Sequence, residues 1–137
     1  MAIANLVDVT SNMVTEASAR AYLDQLDCGY IIDAMCAESY PLPRWTREDA
    51  THCCKIYKNY LWLIKIHPNA TLVPTREIDE FWHNHILYTK RYTDDCQQIF
   101  GYYLHHNPLS PNEDTTKLIR EFSLTKQLYL ETFNEAL

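Results

Sequence analysis

Apolar side chains recur along this chain at intervals of three and four residues, the period of an α-helix. From Thr15 to about Cys28 the recurring positions are Ala17, Ala21, Tyr22, Leu23 and Leu26. Gly29 is expected to end or bend that helix. Tyr30 to Glu38 predicts a second, short helix, with Ile31, Ile32, Met35 and Cys36 apolar, and Pro41 and Pro43 mark a connection. Thr46 followed by Asp49 has the form of a capping box, with Asp in place of Glu. It opens a long helix to about Ile66, with Cys53, Tyr57, Tyr60, Leu61 and Ile64 on the buried face and Pro68 as its stop.

Thr75 can cap the next helix, and Glu77 and Asp79 lie near its positive end. Thr89 is expected to cap a helix from Lys90 to about His105, burying Tyr92, Cys96, Ile99, Phe100 and Tyr103, with Asn107-Pro108 as its end. Ser110-Pro111 reads as the start of a last helix that runs to the C-terminus. Its apolar stripe is Leu118, Phe122, Leu128, Tyr129 and Phe133. Residues 1–14 read as a loose lead-in. Residues 15–137 predict one all-α domain, a helical bundle of four main helices plus one or two short ones.

Composition narrows this further. The chain of 137 residues suits one domain. It holds 2 Gly against 6 Pro. That excludes a Gly-rich phosphate loop and a dinucleotide fingerprint, and it disfavours a tight-turned β-sandwich. With 12 Lys and Arg against 18 Asp and Glu, the formal charge is −6. An acidic surface without a basic stripe fits neither a nucleic-acid backbone nor an anionic membrane. No run of about 18 apolar residues predicts a transmembrane span. The first residues carry no early Lys or Arg, and Asp8 interrupts the apolar run, so no secretory signal is read. The five cysteines, Cys28, Cys36, Cys53, Cys54 and Cys96, include no C-x-x-C pair. An odd count without a signal points to reduced thiols in the cytoplasm. Export by a signal-independent route stays compatible with this reading.

The candidate chemistry is concentrated. Four of the six histidines and one cysteine fall between residues 83 and 106. Successive helical residues rotate by about 100°, so His83 and His85 point to opposite faces and cannot share an ion on one regular helix. Asp79 and His83, at i and i+4, share a face and can act as two ligands or as an orienter and a base. His85 lies with Ile78, Phe81 and Trp82 and points inward. If the chain turns near Thr89, His85, Cys96 and His105 or His106 can meet between two helices. The bland readings stand beside these. They are a core histidine at His85, a surface pair at Asp79–His83, an inert thiol at Cys96 and a helix C-terminus at His105-His106. Trp82, Tyr92 and Tyr103 read as core aromatics. Gly101 falls mid-helix in this reading, at a cost of about 1 kcal/mol relative to Ala. It is expected to admit a close neighbour such as the Trp82–His85 helix.

Val73-Pro74-Thr75, Ile78-Asp79, Trp82-His83-x-His85-x-Leu87, Tyr92, Asp95-Cys96, Phe100-Gly101 and His105-His106-x-Pro108 follow one another in order. This series resembles the glycine-rich-domain-containing-protein-like family, a helical domain of unassigned biochemical function, in its short stand-alone bacterial type. The likeness runs from about Tyr57 to Pro108, and the Gly-rich tail of larger members is absent. It implies that Asp79, Trp82, His83, His85, Cys96 and His106 form one recurrent constellation.

Three functions are compatible with these residues. The first is a protein-binding or regulatory module that inhibits or controls a partner enzyme, the partner carrying a basic face or being a second copy of the chain. The second is a metal-binding protein or metal-dependent enzyme using a subset of Asp79, His83, His85, Cys96, His105 and His106, with zinc favoured over iron or copper. The third pairs a Cys96 nucleophile with His85 or His106. No catalytic residue is assigned.

Overall fold

The computed structural model describes residues 14–137. Its six helices are α1 (Glu16–Gln25), α2 (Gly29–Cys36), α3 (Arg47–Ile66), α4 (Arg76–Leu87), α5 (Thr89–Ile99) and α6 (Thr115–Phe133). The described residues contain no strand, and the fold is all-α. Of the lead-in expected over residues 1–14, only Val14 lies among the described residues.

The long helix α3 is the axis. The Thr46 hydroxyl accepts the Asp49 N–H at 3.1 Å and starts it, a cap that contributes about 1 kcal/mol. Ala50, Cys53, Tyr57, Tyr60, Leu61 and Ile64 recur at helical spacing and are all buried. Around that stripe α3 packs against α1, α2, α4 and α6. The remaining packing runs from α2 to α4, from α4 to α5, and from α5 back to α1. The Asn59 side-chain amide donates to the Tyr129 hydroxyl at 2.9 Å, and the Val73 N–H donates to the Thr125 hydroxyl at 2.9 Å. These bonds fix α6 along α3 and seat the loop before α4. That loop ends at Thr75, whose hydroxyl accepts the Ile78 N–H at 3.2 Å and opens α4.

Several boundaries differ from the sequence expectation. The first helix stops at Gln25, before the expected Cys28, and Gly29 opens α2 instead of ending α1. The side chain of Asp27 accepts the Gly29 N–H at 2.8 Å and forms the turn between the two helices. Thr89 is the first residue of α5 and not its cap. The junction residue Tyr88 (φ −87, ψ 72) breaks the helix without a side-chain bond. The last helix begins four residues later than Pro111, because Asp114 is the better cap. Its carboxylate accepts the N–H groups of Thr116 and Lys117 at 2.9 and 3.4 Å, while Ser110 closes a turn with the Glu113 N–H at 3.0 Å. Helix α6 ends before the chain does, at Asn134 in the left-handed region (φ 55).

The largest difference is at Gly101. Helix α5 does not continue to His105 but ends at Ile99. Gly101 has φ 80, and its N–H closes the last turn on the Gln97 carbonyl at 3.1 Å. It is a helix terminator in the left-handed conformation, where a Cβ is strained, and not a mid-helix gap for a neighbour. The residues after it, including His105 and His106, therefore lie on an irregular segment. Gly101→Ala is expected to lower stability by about 1–2 kcal/mol, read from chemical denaturation midpoints. An unchanged midpoint would contradict a terminator role.

Candidate functional site

Helix α4 presents chemistry on two faces. Its 3.6-residue period directs Asp79 and His83 outward on one side and Trp82 and His85 inward on the other. The His83 side chain is 55% exposed and that of His85 is 1% exposed, so the two histidines are separated as the spacing predicts.

The inner face is closed. His85 Nε2 donates to Asp95 Oδ2 at 2.7 Å, and the Tyr57 hydroxyl meets His85 Nδ1 at 2.7 Å. The Tyr22 hydroxyl donates to the other Asp95 oxygen at 2.5 Å. Both ring nitrogens of His85 are thus taken. Burial raises the Tyr57 hydroxyl far above its usual range. Burial, the hydrogen bond to Asp95 and the nearby carboxylates raise that of Tyr22 as well, so both serve as neutral donors. Cys96 does not join His85. Burial pushes its thiol up to about 11, against the lowering influence of the Leu104 backbone and the Tyr92 hydroxyl. Burial and the raised thiol both disfavour the thiolate that a nucleophile or a zinc ligand requires. The chain does turn beside Thr89, but Asp95 takes the place beside His85, so the conditional meeting of His85, Cys96 and His105 or His106 does not form and the alternative of a core histidine and a buried thiol describes these two residues.

The outer face is built by a relay. The Trp82 indole N–H donates to the Tyr92 hydroxyl at 2.9 Å, and that hydroxyl donates to the Leu104 carbonyl at 2.5 Å. Leu104 is itself buried. The irregular segment after α5 is thereby pinned across α4, and His106 lands on the Trp82 ring with centroids 4.2 Å apart. His106 Nε2 meets Asp79 Oδ1 at 2.5 Å, while His83 Nε2 stands 3.7 Å from Asp79 Oδ2. One carboxylate therefore spans two imidazoles, whose rings are 4.4 Å apart. Ligand atoms of Asp79, His83 and His106 all lie within 4.8 Å of one another. His105 is exposed, beside the Tyr103 ring, and is not part of this group. Beside the triad runs a groove of about 640 Å³. The sequence constellation thus splits. Asp79, His83 and His106 converge on the groove with Trp82 as their support, and His85 and Cys96 belong to the core.

A family model described as UCP032817-like matches residues 19–130. The chain belongs to that family. Among curated proteins it is similar to Glycine-rich domain-containing protein 1 and Glycine-rich domain-containing protein 2 of Arabidopsis thaliana. Each is 35% identical over 82 residues, which is 56% of this chain and 10% of the relative. The chain thus matches about a tenth of the length of these curated relatives. No solved structure matches it. This UCP032817-like chain has, among the described residues, no helix long and apolar enough to cross a membrane.

Sequence reasoning did not single out Asp95, Tyr57 or Tyr22 as polar partners. A signal for Asp95 was present. It lies on the stripe Tyr92, Asp95, Cys96, Ile99, all buried, and a carboxylate on an apolar stripe needs a buried partner. Asp95→Ala is expected to cost about 3–5 kcal/mol, because it leaves the His85 N–H and the Tyr22 hydroxyl unpaired in the core. Urea denaturation checks this, and a loss below about 1 kcal/mol would show that the pair is dispensable.

Proposed function

We propose that this protein binds one divalent transition metal through Asp79, His83 and His106, with zinc the first candidate. The observation that carries the reading is the convergence of three ligand atoms, drawn from two chain segments, within 4.8 Å of one another beside a groove. Zinc with nitrogen and oxygen ligands at about 2.0–2.1 Å needs ligand atoms about 3.3 Å apart, a separation that lies between the 2.5 Å from His106 Nε2 to Asp79 Oδ1 and the 3.7 Å from His83 Nε2 to Asp79 Oδ2. The donor set is two imidazoles and a carboxylate, with no thiolate, and it suits zinc or iron(II). Three protein ligands leave a coordination position open, and here it would face the groove. Such a position can hold a water for hydrolytic chemistry or the head of a bound ligand. The Trp82 ring packs edge-on against His106 and limits its rotation.

A partner-docking role is the second reading, favoured by the free face of α6. Ile119 and Leu130 are 60% and 52% exposed. With the half-buried Phe122 they recur at helical spacing, and the Lys126 ammonium lies 5.1 Å from the Phe122 ring centroid. A partner with a basic rim would complement the net charge of −6. Under this reading Ile119→Glu with Leu130→Glu abolishes docking and leaves metal content unchanged.

Elemental analysis after loading with zinc and removal of the excess tests the first reading. About one zinc per chain is expected, and His83→Ala/His106→Ala should retain less than about a tenth of that with unchanged far-UV circular dichroism. A wild-type chain below about a tenth of an ion, or a double variant that holds as much as wild type, would overturn it.

A further inference from the structure

We infer that the groove beside the triad binds an amphiphilic monocarboxylate, an apolar acyl chain whose anionic head takes the open position on the metal. This rests on the metal reading above. The groove volume of about 640 Å³ lies within the range of small-molecule sites. Tyr60, Leu72, Pro74, Trp82, Pro108 and Leu118 form its apolar walls.

The polar atoms of the two aromatic walls are used elsewhere. The Tyr60 hydroxyl donates to the Leu72 carbonyl at 2.8 Å, and the Trp82 indole N–H is committed to Tyr92. The Thr75 hydroxyl, at the groove edge, accepts the Ile78 N–H. The aromatic walls therefore offer a ligand carbon faces. Against these faces an alkyl chain gives up no hydrogen bonds. The convergent polar chemistry is gathered at Asp79, His83 and His106.

The charge of that end fits an anion. One carboxylate and two neutral imidazoles leave a divalent ion with a net charge of about +1. Arg76 lines the groove one helical turn before Asp79, and Lys117 lines it from α6. Glu113 and Glu121 also line it. A single carboxylate head satisfies the metal end, and the chain buries its methylenes against the walls.

Calorimetric titration of decanoate into protein loaded to one zinc per chain tests this, with zinc content measured on the same sample. Saturable binding of one decanoate per chain is expected. Affinity should rise about tenfold for each two methylenes from hexanoate to decanoate. Decanol should bind at least about tenfold more weakly, for want of the head. Leu118→Trp, which narrows the groove from a wall residue outside the ligand set, should weaken decanoate by about tenfold or more and leave zinc at one per chain. A zinc-loaded chain that does not bind decanoate overturns this inference alone. So does decanol binding as tightly as decanoate, or a short peptide ending in leucine binding more tightly. A chain that cannot be loaded with zinc overturns the metal reading and this inference together.

Discussion

Four helices meet at one buried carboxylate–imidazole pair. Asp95 on α5 is 7% exposed, and burying a carboxylate costs several kcal/mol unless hydrogen bonds offset it. The offset comes from His85 on α4 and Tyr22 on α1, and Tyr57 on α3 fills the remaining nitrogen of His85. Among the described residues no buried side-chain nitrogen or oxygen lacks a partner. The pair also dictates the chain path. In one unbroken helix His85 and Asp95 would stand about 15 Å apart. Their contact at 2.7 Å requires the helix to break and fold back, which it does at Tyr88.

That fold-back creates the outer site. With α5 turned against α4, the Tyr92 hydroxyl sits between Trp82 and Leu104 and holds the returning segment in place. His106 is then delivered to Asp79 from a segment far along the chain, while His83 comes from the same helix. The dense motif of the sequence is therefore two things. His85 and its partners are internal support, satisfied and closed. Asp79, His83 and His106 face a groove. In the functional reading advanced above, the first group holds the second in register, as an inner scaffold holds an open binding site.

Much of the helical pattern could be read from periodicity and caps. Thr46 and Thr75 accept the expected backbone N–H groups, because an N-cap is a local interaction between residues three apart. The opposed faces of His83 and His85 and the pairing of Asp79 with His83 were legible for the same reason. What was not legible depends on long-range contacts. Gly101 looked like an interior glycine, since nothing local distinguishes a glycine that ends a helix from one that sits inside it. Whether Cys96 meets His85 or is a buried thiol was open, since a turn near Thr89 brings residues 95 and 96 into the same region. Only the register of α5 on α4 decides between Asp95 and Cys96. The approach of His106 to Asp79 required both the early stop of α5 and the Tyr92 relay. The groove depends on three separated stretches, around Leu72, Pro108 and Leu118, that no local pattern connects.

The proposed zinc site uses Asp79, His83 and His106 and leaves His85 and Cys96 in the core. X-ray absorption at the zinc edge of the loaded protein tests it most directly, because the first coordination shell reports donor type. The account predicts nitrogen and oxygen neighbours at about 2.0–2.1 Å with no sulfur shell. A zinc–sulfur distance near about 2.3 Å would place a cysteine on the metal and contradict it.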